Sequence, residues 1–132
     1  HRCLRNYVRE LNTVYLCHRA LWQKDHDPSC FKWIDADNAE QSVVSFFRSA
    51  GSPEEQVVVI MNFTERVYHG YRLGVPRKGV YQEILNSDSD EFGGSNQVNP
   101  FPLEADDFAW NKQPCSISIT LPPLGAAWFR LV

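Results

Sequence analysis

Positive charge is scarce in this chain. Thirteen Lys and Arg face sixteen Asp and Glu, a formal net charge of -3 at pH 7. That leaves no basic field to attract a phosphate backbone, so nucleic acid is not expected as a partner. Long apolar runs are also missing. Nothing approaches the roughly 20 consecutive apolar residues that span a bilayer, and the N-terminus lacks the apolar core of a signal peptide, so no membrane partner is expected. Cys3, Cys17, Cys30 and Cys115 show no Cys-x-x-Cys spacing. If Cys3 and Cys17 share one helix, a rise of about 1.5 Å per residue sets them roughly 21 Å apart, too far for a bridge. All four read as reduced thiols of a cytoplasmic protein.

Several chemistries lack their residues. For loops starting at Asp25, Asp35 or Asp88, the twelfth position of a calcium loop falls on Ala36, Phe46 or Asn99. None is the bidentate Glu that calcium needs there. His1, His18, His26 and His69 are scattered, with no pair at i, i+4 and no cysteine at zinc spacing, so no metal is expected. No Gly-x-Ser-x-Gly elbow exists for a nucleophilic serine, and no cofactor motif appears. Asn62-Phe63-Thr64 is a glycosylation sequon, read here as a strand end whose side chains bond local backbone. Glu83, Asp88, Asp90, Glu91, Glu104, Asp106 and Asp107 supply carboxylates, but spacing alone places no two of them across a glycosidic bond.

What is present is one helix and many short strands. At 132 residues the chain has the size of one domain with an appendage. Leu4, Tyr7, Val8, Leu11, Val14 and Tyr15 recur at spacings of three and four, with Arg2, Arg5, Arg9, Glu10 and Asn12 mostly opposite. That pattern predicts an amphipathic helix of about 15 residues, uncapped at His1, as in a fragment of a longer chain. Its apolar stripe needs a partner, either upstream of His1 or this domain's own sheet. His18 to Cys30 reads as a connector, Phe31 to Ile34 as a short strand and Asp35 to Asn38 as an acidic turn. Strands are expected at Ser42 to Arg48, Gln56 to Phe63, Val67 to Gly74, Val80 to Leu85, Ser116 to Leu121 and Ala126 to Val132. Ala50 to Pro53 closes the first of these. Val57 to Met61 is apolar on both faces and predicts a central strand. Asp88 to Asp107 is a long polar excursion of the kind that often carries function or an interface. The fold class is therefore mainly β, the pattern of an all-β sandwich or barrel, preceded by one amphipathic helix.

The candidate functional surface is aromatic. Trp22, Trp33, Tyr81, Trp110 and Trp128 could present flat faces to sugar rings, with Asn and Asp bonding the hydroxyls. Trp128 lies inside an apolar run and is expected in the core. Trp110, Tyr81 and Trp33 are the candidate sugar contacts.

The segment Tyr71 to Asn96 ties these elements together. Tyr-Arg-Leu-Gly-Val-Pro at 71–76, Glu-Ile-Leu-Asn-Ser-Asp at 83–88, Gly-Gly-Ser-Asn at 93–96 and Thr-Leu-Pro-Pro-Leu at 120–124 follow one another in order. With them the chain closely resembles, nearly end to end, the C-terminal end of the 1,4-α-glucan (glycogen) branching enzymes of the α-amylase superfamily. Phe92, Glu65 and Asn111-Lys112-Gln113 depart from that pattern, all in loops. The resemblance implies that residues 1–30 are the last helix of a catalytic (β/α)8 barrel plus a connector. Residues 31–132 would form the C-terminal all-β domain beside it, an antiparallel β-sandwich. It further implies a cytoplasmic parent that cleaves an α-1,4 glucan chain and rejoins it through an α-1,6 bond by a retaining mechanism. The acids for that reaction would belong to barrel strands, so no residue here is expected to be catalytic. The expected partners are the barrel of the same polypeptide, α-glucan, and a second copy through the exposed helix face. Two rival readings are a stand-alone glucan-binding sandwich and a purely structural interface domain without a sugar site.

Overall fold

A computed structural model describes residues 1–52 and 54–132. The turn expected at Ala50 to Pro53 thus ends on a residue outside the described ones. Among the described residues one α-helix, α1 (Arg2–Cys17), precedes eight strands: β1 (Phe31–Asn38), β2 (Val43–Ser49), β3 (Gln56–Asn62), β4 (Tyr68–Val75), β5 (Val80–Asn86), β6 (Leu103–Glu104), β7 (Cys115–Leu121) and β8 (Gly125–Leu131). Six strands form a large antiparallel sheet in the order β1-β2-β3-β8-β5-β6, and β4 pairs with β7 in a second, two-stranded sheet. Among the described residues no helix is long and apolar enough to cross a membrane.

Alternation decides which side chains meet between the sheets. In β7, Ile117, Ile119 and Leu121 are buried while Ser118 is exposed. They close on Leu73 and Val75 of β4 and on Val43, Phe47, Val58, Ile60, Ala127 and Phe129 of the large sheet. Each such apolar side chain removed from water contributes roughly 2 kcal/mol. β3 is apolar on both faces because both are covered. Val57 and Val59 point outward, where Ala20, Leu21, Phe46, Met61, Ile84 and Trp128 close over them. The segment after α1, a 3-10 turn at Arg19–Leu21, is thus a lid on the outer face.

The acidic run Asp35 to Asn38 is not a turn, as its composition suggests. It continues β1, paired with β2 through two register irregularities. Asp and Asn disfavour regular strands, and bulges accommodate them by freeing the local backbone from the ladder.

α1 divides its apolar stripe. Val14 is buried and Tyr7 and Leu11 are half-buried, whereas Leu4, Val8 and Tyr15 face solvent. Tyr7 packs edge-on against Phe92 with ring centroids 5.2 Å apart. That ring sits on a 3-10 turn, Asp90–Phe92, capped by Ser89, whose hydroxyl oxygen accepts from the Glu91 amide. Asp88 accepts hydrogen bonds from the Ser95 amide at 3.0 Å, the Ser95 hydroxyl at 2.7 Å and the Gln97 amide at 2.9 Å. Gly94 passes so close to the Asp88 carbonyl that a β-carbon would collide with it. The motifs at 83–88 and 93–96 therefore build the platform on which the helix rests.

Candidate functional site: an inter-sheet groove at Trp110

A groove of about 450 Å3 opens between edge strand β1 and the start of β4. Two bulges create it. Across β1 and β2, Trp33 pairs with Phe46 and Asp35 with Ser45, leaving Ile34 as the extra residue, and Asn38 then pairs with Val43. Phe46 belongs to the outer cluster and Val43 to the inner core. A strand's side chains share the face of their partners, so Trp33 points outward while Asp35 and Asn38 turn inward to the groove. Across β4 and β7, Tyr68 pairs with Leu121 and Tyr71 with Ile119. The extra residue beside Gly70, whose φ is 67°, puts both tyrosines on one face. Their rings meet edge-on at 5.6 Å.

Trp110 forms the opposite wall. Trp110 and Gln113 exchange backbone hydrogen bonds of 3.1 and 2.8 Å around Asn111 and Lys112, whose φ values are 51° and 61°. That is a two-residue turn of the I′ kind. It is fastened to β4, where the Gly74 amide donates to Asn111 Oδ1 at 2.8 Å. A β-carbon at Gly74 would run into the Trp110 carbonyl, so the Gly of Tyr-Arg-Leu-Gly exists for this turn. Arg72 secures the preceding segment. Its guanidinium lies 4.5 Å from the Phe108 ring centroid and donates to Ser116 Oγ at 2.7 Å. Ser116 Oγ in turn donates to the Phe108 carbonyl at 2.7 Å.

The groove floor is polar. The Asn38 amide nitrogen donates to Gln41 Oε1 at 2.6 Å and to Tyr71 Oη at 3.4 Å, and the Gln41 backbone amide donates to Asn38 Oδ1 at 3.2 Å. Burial raises the Tyr71 pKa, with Asp35 adding to the rise against the lowering effect of the Asn38 hydrogen bond. The phenol therefore keeps its proton and can donate it.

Of the three expected contacts, Trp110 alone lines the groove. It is 45% exposed. Trp33 is 55% exposed but sits on the outer face in a cluster with Phe31 and Phe46. Tyr81 is a correction. Its ring is fully buried in the core, and its hydroxyl donates to the Arg77 carbonyl at 2.8 Å, so it offers no face to a sugar. Trp128 packs beneath Ala20 and Leu21, and Trp22 is partly exposed. The sequon nitrogen of Asn62 is buried and donates to the carbonyls of Arg66 and Pro122. Asp35, Asn38, Gln41, His69 and Tyr71 were not expected from sequence to line a common groove. Only Gly70, a glycine inside a strand, signals the bulge that assembles part of them.

The carboxylates nearest to the signature motifs serve the fold. Glu83 is held by the Asn99 side-chain amide at 2.8 Å and backbone amide at 3.2 Å and by Asn86 at 3.1 Å. Burial raises its pKa, against the lowering effect of those bonds. Asn99 also bonds both backbone groups of Thr120, so it pins the long excursion to β7. All four cysteines are free, Cys3 and Cys17 exposed on α1, Cys30 and Cys115 buried.

Comparison with known proteins accords with this architecture. The chain is 46% identical over 129 residues to the 1,4-alpha-glucan branching enzyme GlgB of Rubrobacter xylanophilus, covering 98% of this chain and 18% of that protein. To the GlgB enzymes of Bacillus cereus and Halothermothrix orenii it is 44% and 42% identical, covering 100% and 98% of this chain but 20% and 21% of theirs. The chain thus spans about a fifth of the length of the curated relatives it matches. Residues 33–132 match the family described as alpha amylase, C-terminal all-beta domain. They begin within β1 and take in both sheets, and on that match the chain belongs to the alpha amylase C-terminal all-beta domain family.

Proposed function

We propose that this chain is the C-terminal β region of a glycogen branching enzyme. In that enzyme residues 1–30 close a catalytic barrel and residues 31–132 form the domain that supports it and contacts glucan. The observation that carries the reading is similarity to branching enzymes along 98 to 100% of the chain. The reaction itself, cleavage of an α-1,4 chain and transfer to a 6-hydroxyl with retention, needs a carboxylate nucleophile and a carboxylic acid flanking one bond. Here Glu83 and Asp88 have their oxygens engaged by loop amides, so this region orients and stabilises rather than reacts.

The docking surface is the unpartnered line Leu4, Val8 and Tyr15 of α1, beside the line that already rests on the sandwich. Covering it would add roughly 2 kcal/mol for each large apolar side chain buried. The setting implied is the cytoplasm, where the parent would meet its glucan.

The test is expression of the complete reading frame that contains this chain, assayed by the fall in iodine absorbance of amylose. Branching activity is expected, and Leu4→Ser with Val8→Ser should lower the thermal stability and activity of the full polypeptide. The fold of the 132-residue chain, followed by circular dichroism, should be unchanged. A complete polypeptide without branching activity would overturn the reading.

A further inference from the structure

We infer that the groove between β1 and β4 is a binding subsite for a single α-1,4-linked glucan chain, gripped by Trp110 and by the polar cluster of Asp35, Gln41 and Tyr71. This rests on the proposed function for its substrate and adds the place. The first argument is composition. Trp110 stands exposed at a concavity of about 450 Å3 whose lining also takes in the half-buried Tyr68 and Tyr71, and an exposed indole beside such a hollow is what packs on sugar C–H surfaces.

The second argument is which donors and acceptors remain open. Asn38 is fully engaged, with its amide nitrogen on Gln41 and Tyr71 and its oxygen accepting from the Gln41 backbone. It thereby orients two neighbours whose outward donors, the Tyr71 hydroxyl proton and the Gln41 amide nitrogen, have no partner among the described residues. Asp35 uses one oxygen on the Asp37 amide and leaves the other free. Asn111 uses its oxygen on Gly74 and leaves its nitrogen free. Donors and acceptors mixed at close range match vicinal hydroxyls, each of which gives one proton and accepts others.

The third argument is charge. Arg72 is already held by Phe108 and Ser116 and pairs with Asp106 at 3.8 Å, so Asp35 keeps its negative charge at the groove, which favours a neutral ligand over a phosphate. Its shape selects the linkage. A β-1,4 glucan is a flat ribbon that binds best to aligned coplanar rings. Trp110 lines the groove while Trp33 packs with Phe31 and Phe46 outside it, so these two exposed indoles form no such platform. An α-1,4 chain curves and fits a concavity with one ring at its wall.

The experiment is calorimetric titration of the chain with maltoheptaose and, separately, cellohexaose, backed by amide chemical-shift mapping. Maltoheptaose is expected to bind and to shift amides at 38–41, 69–72 and 110–111, with cellohexaose at least tenfold weaker. Trp110→Ala should weaken maltoheptaose roughly tenfold, the order expected for one stacking ring. Gln41→Ala should weaken it several-fold in a protein whose unfolding temperature stays within a few degrees of the parent. Should Trp110→Ala fail to fold, Gln41→Ala and the shift map still decide. Equal binding of both oligosaccharides, loss of binding in Trp33→Ala instead, or no binding by the parent chain would each overturn the subsite. The iodine assay on the complete polypeptide is independent of all three, so the subsite can fall while the branching-enzyme reading stands.

Discussion

Tyr81 shows how one side chain can serve opposite roles in two readings. In Val80-Tyr81-Gln82 the alternation places either Val80 or the ring inside, and a tyrosine is equally at home at a sugar site or in a core. Pairing with Leu131 of β8 and Leu103 of β6 turns the ring inward and leaves Val80 at the surface. Burial pushes its phenol from 10.0 up to about 12, against the lowering effect of its hydrogen bond to Arg77. An acid whose pKa is raised by folding stabilises the native state below its unfolded value and stops doing so as pH climbs through the folded one. The parent chain should therefore lose stability between pH 10 and about 12. In Tyr81→Phe that dependence should shrink to the part left by Tyr7 and Tyr71, whose phenols burial also raises, while stability at pH 7 falls by about 1 kcal/mol for the lost hydrogen bond. Urea unfolding at pH 7, 10 and 11 measures both.

At the scale of elements, strands were legible wherever periodicity and burial agree. Ile117, Ile119 and Leu121 announce β7 by twos, and the unbroken Val57 to Met61 announces a strand covered on both sides. The grooved edge was not legible, since bulges depend on which residue of one strand lacks a partner on another. Asp35 to Asn38 carries the composition of a turn and occupies the end of a strand. Trp110 was legible as an exposed ring, but its neighbours in the groove come from two other segments, at 35–41 and 68–72. The Trp110 turn offers its own prediction. Gly74→Ala meets main chain rather than a side chain that could rotate away, so the turn must shift. Thermal or chemical unfolding should show a loss of about 2 kcal/mol.

For the whole molecule, α1 is held to the sandwich by one line of contacts and offers the next to something else. Leu4 is 65% exposed and Leu16 70%, with Val8 and Tyr15 between them along the helix. Without a larger partner, such a stripe finds another copy of itself. Sedimentation velocity should show an average mass that rises with protein concentration. Leu4→Ser with Val8→Ser should return it to the mass of one 15.2 kDa chain at every concentration.

The bulges of β1 have a consequence beyond shaping a groove. β1 pairs only with β2, so its outer side is an open rim of the six-stranded sheet. A regular rim would offer evenly spaced amides and carbonyls to any stray strand, the first step toward fibrils. Two interruptions within eight residues, with Asp35 and Asp37 among them, break that spacing and add like charge. The opposite rim, β6, is only two residues long. The irregularities that open the groove also keep the sheet from growing by templating.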